Sequence, residues 1–118
     1  MRNRLLRPLA AIALAAAAGT AFGQQPAAVG DPKEAQKKIA MCEGCHGIPG
    51  YRTAYPEVYK VPKLGGQSAV YIVNALNAYK AGQRSHLSMR GIAASLSDKD
   101  IADLATYYSA GHKVEAHK

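Results

Sequence analysis

The chain predicts an all-α fold, and three observations carry that expectation. Two segments place apolar residues at i, i+3, i+4 and i+7: Ile72, Ala75, Leu76 and Tyr79, then Ile101, Leu104, Ala105 and Tyr108. Three positions have the make-up of a helix start: Asp31-Pro32-Lys33-Glu34, Ser68, and Ser97-Asp98-Lys99-Asp100. No stretch of any length alternates apolar and polar residues as a half-buried strand does, and the chain has no internal repeat.

The elements follow in order. In the first helix Asp31 is the cap, Pro32 takes the first position, and Glu34 completes a capping-box-like pattern. Ala35, Ile39 and Cys42 then share one side, so this helix runs directly into the cysteine motif. Gly47 to Val61, with two prolines and Tyr51, Tyr55 and Tyr59, reads as an irregular loop with a short turn of helix around Glu57 to Lys60. Pro62-Lys63-Leu64-Gly65-Gly66 continues it. A second helix starts at Ser68 and stops at Gly82. Gln83 to Gly91 reads as a polar loop carrying His86 and Met89, followed by a short helical piece over Ile92 to Ser95. A last helix begins at Ser97 and ends at Gly111.

The N-terminus has the form of a secretory signal. Arg2, Arg4 and Arg7 precede an apolar stretch, Leu9 to Ala18, that is too short to span a bilayer comfortably. Small residues at Ala21 and Gly23 place cleavage before Gln24. The alternative is an uncleaved N-terminal membrane anchor. The expected organisation is therefore a signal peptide over 1–23, a flexible lead-in over 24–30, one folded domain over 31–111 and a frayed tail over 112–118. Removal of 1–23 leaves 95 residues with twelve Lys and Arg against eight Asp and Glu, a net charge of +4. That mild basicity, without a dense Lys/Arg cluster, is not a nucleic-acid footprint.

Cys42-Glu43-Gly44-Cys45-His46 carries the chemistry. It reads C-x-x-C-H, the attachment signature for c-type haem. Residues three apart on a helical turn lie on one face, so both thiols reach the vinyl groups of one porphyrin. His46 follows directly and is placed to ligate the iron. A thioredoxin-like pair would sit in a βαβ setting that is missing here, and a structural zinc site needs four ligands where only three stand near. A plain disulfide would not need the histidine. Cys42 and Cys45 are the only cysteines in the sequence.

For the opposite face of the iron the candidates are Met89, His86, His112 and His117. Met41 adjoins Cys42 and cannot cross the porphyrin plane. Met89 is favoured over His86 because a thioether in a polar Ser-His-Leu-Ser-Met-Arg segment is a poor core residue and a good soft ligand. His112 and His117 read as exposed tail residues.

Four stretches in this order, CEGCHG (42–47), PKLGGQ (62–67), YKAGQR (79–84), and Met89 followed by LSDKDIADLATYY (96–108), resemble the class I c-type cytochromes. The resemblance is to the small bacterial periplasmic monohaem type, and to each half of the dihaem relatives. It implies three main helices and loops wrapped around one covalent haem c, with His46 and Met89 as axial iron ligands. It implies that the Pro62 carbonyl accepts a hydrogen bond from the proximal His46, that Leu64 lines the haem pocket, and that the last helix crosses the first, with Ala35 and Ile39 against Tyr107 or Tyr108. It also implies export, since haem c is attached outside the cytoplasm. The loop Ile48 to Val61 departs from the family pattern. Its tyrosines pack a long loop on the plain reading, with Arg52 against a propionate or the loop as a docking surface as alternatives.

The function expected is that of a periplasmic one-electron carrier, not an enzyme, exchanging electrons with redox protein partners and taking no small-molecule substrate and no nucleic acid. The alternative is an electron-transfer subunit of a larger periplasmic or membrane-bound oxidoreductase, with peripheral association to a respiratory complex. A third reading, a haem enzyme or gas sensor, needs a labile Met89. The intact mass of the exported protein tests the N-terminal reading: a chain beginning at Gln24 is expected, and retention of 1–23 contradicts it.

Overall fold

The structure, a computed structural model, describes residues 29–55 and 57–112. The signal-like segment, most of the lead-in, and the tail with His117 lie outside the described residues. Among those described there are five α-helices and no β-strand: α1 (Pro32–Ala35), α2 (Ala40–His46), α3 (Ala69–Lys80), α4 (Leu87–Ala94) and α5 (Asp98–Ser109).

The all-α architecture is organised on α5. The Ser97 hydroxyl accepts from the Asp100 amide and the Asp100 carboxylate accepts from the Ser97 amide, a complete capping box. Its apolar stripe is the core: Ile101, Leu104, Ala105 and Tyr108 are each about 1% exposed. Burial of such a face, at about 25 cal/mol per Å² of apolar surface, is the main stabilising term for a helix this short. Ala35 from α1 and Ile72 from α3 join the same cluster, with Ile39, Cys42, Leu64, Val73 and Leu76 packed against it half-buried.

The first helix does not run unbroken into the cysteine motif. It splits into α1 and α2, joined by turns in which Lys37 and Lys38 donate to carbonyls three residues back. The cap at Asp31 forms, its carboxylate accepting from the Lys33 amide at 2.8 Å. The second half of the expected capping box does not. The Asp31 amide donates instead to the buried Asp103 carboxylate on α5 at 2.7 Å, and Glu34 pairs with Lys37. Next to it the Gly30 amide donates to Thr106 Oγ1 at 2.9 Å, and a methyl group at Gly30 would fall on the backbone of Ala102 and Asp103. The start of α1 is therefore bonded to α5, and that tertiary contact overrides the local box.

Helix α3 starts at its Ser68 cap and is followed by Gly82 at φ 74, as the sequence suggests. Lys80 joins α3 to the α4–α5 turn, donating to the Leu96 carbonyl at 2.8 Å and to Asp98 at 3.1 Å. Two further expectations are corrected. Met89 stands not in a loop but in α4, which starts five residues before the short piece expected at Ile92. The helical turn around Glu57 to Lys60 does not form, and an antiparallel bridge joins Arg52 and Lys60 instead. The Thr53 amide donates to the Tyr59 carbonyl and the Tyr59 amide to Thr53 Oγ1, which closes the loop across its tip.

The carboxylates on α5 predict how acid acts on the fold. Hydrogen bonds from the Ser97 side chain and backbone, aided by Lys38, hold Asp100 down to about 2, and the Lys99 hydrogen bond, then the Asp31 amide, lower Asp103. A folded-state pKa below the unfolded value gives stability that is present above about pH 4 and lost as pH falls towards 2. Thermal unfolding midpoints of the haem-loaded protein should therefore fall between about pH 4 and 2. In Asp100→Asn they should be lower at neutral pH and fall less over that window. Parallel curves would contradict the assignment.

Candidate functional site

The motif residues occupy one short helix. In α2, Cys42 is half-buried, Cys45 exposed and His46 the last helical residue, half-buried. Cys42 and Cys45 are both free thiols. Cys42 faces the core, where burial pushes its thiol pKa up while the neighbouring Tyr108 hydroxyl pulls it down. That hydroxyl is buried and has no hydrogen-bond partner of good geometry among the described residues, so its effect on Cys42 is one of proximity.

His46 is held by one short bond. Its Nδ1 lies 2.7 Å from the Pro62 carbonyl oxygen. A carbonyl oxygen only accepts, so Nδ1 carries the proton and Nε2 presents its lone pair away from Pro62. Burial lowers the His46 pKa, the Pro62 bond opposes that, and His86 lowers it further. The ring therefore favours its neutral, ligating form. Leu64, two residues past Pro62, is half-buried against the core cluster.

His86 is thus within electrostatic reach of His46, although forty residues separate them in sequence. It is the N-cap of α4, and Met89, half-buried, is the third residue of that helix. His112 is exposed at the far end of α5, stacked on Tyr107 at 4.5 Å. Arg52 is exposed and bridged to Lys60, while Tyr55 is 86% exposed and Tyr59 41%. Two roles at the site are not legible in the sequence. Tyr108 was legible as core, but its position beside Cys42 depends on how α5 packs in the folded chain. His86 as a cap is masked by its type, since caps are usually Ser, Thr, Asp or Asn.

Comparison with known proteins supplies the family. A scan against protein-family models finds no match. Cytochrome c-554(548) of Halomonas halodenitrificans is 43% identical over 83 residues, which cover 68% of this chain and 95% of that protein. The chain belongs to the class I c-type cytochromes. Cytochrome c4 of Pseudomonas aeruginosa is 39% identical over 82 residues, 70% of this chain and 39% of that protein. The crystal structure of reduced recombinant cytochrome c4 from Pseudomonas stutzeri matches with a TM-score of 0.50 at 30% identity, covering 71% of this chain and 52% of that one. This cytochrome therefore spans about two-fifths of the length of the cytochrome c4 relative and almost all of cytochrome c-554(548).

Membership makes it an electron-transfer protein with covalently bound haem c, and its residues fit that group. Two free thiols sit one turn apart, the adjacent His46 has Nδ1 committed to Pro62 and Nε2 available, and half-buried Ile39, Leu64 and Val73 pack against the core beside Cys42. Among the described residues no three His, Cys, Asp or Glu side chains gather as they would around a bare metal ion. Replacing both Cys42 and Cys45 with Ser should abolish haem staining of the denatured polypeptide, whereas either single replacement should leave one thioether and some stain. Stain persisting in the double variant would contradict attachment at this motif.

Proposed function

We propose that this cytochrome is a periplasmic one-electron carrier with a single covalent haem c, its iron held between His46 and Met89. The observation that carries the reading is the 2.7 Å contact between His46 Nδ1 and the Pro62 carbonyl, which leaves Nε2 free and so supports it as the iron ligand. Haem c supplies a one-electron Fe(III)/Fe(II) couple when bound. The rest is done by the chain. Cys42 and Cys45 hold the porphyrin through thioethers, and Pro62 keeps the His46 ring from rotating. Leu64 lines the pocket, and Met89 takes the second axial position.

With both axial positions filled by protein, no coordination site is left for a substrate, and the protein relays electrons between redox protein partners. One C-x-x-C-H motif in the sequence supports one haem per chain. The N-terminal segment, with its three arginines and short apolar stretch, supports export to the periplasm with cleavage before Gln24. The folded unit is the 31–111 domain. No helix among the described residues is long and apolar enough to cross a membrane.

The test is optical and potentiometric. Oxidised wild-type protein should show the far-red charge-transfer band of a methionine–Fe(III) bond. Met89→Ala should lose it and shift the potential down, on the order of 0.1 V within the roughly 0.8 V that axial ligands span. An unchanged spectrum in Met89→Ala would overturn the ligand assignment.

A further inference from the structure

Met89 stands on the first turn of an eight-residue helix, so whatever fixes that turn fixes the thioether. The first turn of any helix has amides without intrahelical partners, and a capping side chain is what satisfies them. Here the acceptor is an imidazole. His86 has φ −70 and ψ 112, outside the helical region, and its Nδ1 accepts from the Met89 amide at 3.4 Å, a long bond. The capped amide is thus that of the ligand residue itself.

A histidine is an uncommon cap, and the second contact of its ring gives a reason for it. Tyr59 lies against His86 with ring centroids 5.0 Å apart and planes tilted by 58°. Tyr59 is itself held. Its hydroxyl donates to Glu57 at 2.6 Å, and its backbone pairs with Thr53 on the opposite side of the loop. The tyrosine-bearing loop therefore reaches α4 through the contact between the Tyr59 and His86 rings.

We propose that His86 is a positioning residue for Met89: its imidazole caps α4 at the Met89 amide, and Tyr59 holds that imidazole in place. This rests on the reading of Met89 as axial ligand. Detaching Met89 from iron frees the first turn of α4 to unwind. The cap opposes that unwinding, so it opposes replacement of Met89 by an external ligand. Asparagine at 86 would keep an acceptor of suitable reach for the same amide, and alanine would not.

The experiment measures imidazole binding to the oxidised, haem-loaded protein through loss of the far-red band. His86→Ala should bind imidazole about fivefold more tightly than wild type, the loss expected for one helix cap. His86→Asn should restore wild-type affinity, and Tyr59→Leu should tighten binding in the same direction by less. Wild-type affinity in His86→Ala overturns the proposal, as does equal tightening in His86→Ala and His86→Asn. A Tyr59→Leu protein that binds as wild type removes the loop from it. Wild-type protein without the far-red band overturns the Met89 reading itself, so the two failures are told apart before any variant is made.

Discussion

The hydrogen bond from His46 Nδ1 to the Pro62 carbonyl ties the motif to the rest of the molecule. It joins the last residue of α2 to the far end of a fifteen-residue connection, and it does so through the one side chain whose orientation decides the chemistry. A ring donating to a carbonyl has one tautomer and one free nitrogen. Without that bond the imidazole at a helix end would rotate, and either nitrogen could face a metal. Two residues past Pro62, Leu64 packs half-buried against the core, so the bond stands next to the buried cluster.

Behind this stands α5, the surface against which α1 and α3 pack. The start of α1 is bonded to it through Asp31 with Asp103 and Gly30 with Thr106, and the Gly66 amide ahead of α3 donates to the Tyr108 carbonyl. Lys38 and Lys80 pair with Asp100 and Asp98 at its N-terminal end. Exposed ion pairs of this kind contribute little each, at most about 1 kcal/mol. The buried Asp103 differs, because it satisfies a backbone amide that would otherwise have no partner. A small domain has little surface to bury, and concentrating its contacts on one helix gives the motif a fixed floor.

What the sequence made legible follows from how local each signal is. Helix α5 and its capping box, and α3 with Ser68 and Gly82, are written in adjacent residues, and both appear where expected. The break between α1 and α2 was not legible, because no Gly or Pro marks the turns at Lys37 and Lys38, and the bond from the Asp31 amide reaches Asp103, seventy-two residues away. The first part of α4, from Leu87 to Gly91, reads as a loop in the sequence because Gly91 looks like a breaker and because a histidine does not announce a cap. The bridge between Arg52 and Lys60 likewise joins residues eight apart within a segment that composition alone reads as irregular. The motif residues were the most legible part of the site. The surroundings that tune them, the Tyr108 hydroxyl beside Cys42 and the His86 ring near His46, are products of the fold.

The central claim is that the iron sits between one imidazole and one thioether, both supplied by this chain. X-ray absorption at the iron edge of the purified haem-loaded protein tests it most directly, since sulfur and nitrogen scatterers in the first shell are distinguishable. The account predicts one sulfur and five nitrogens in both the oxidised and the reduced state. Six nitrogens, with His86 in place of Met89, or five ligands with an open position, would contradict it.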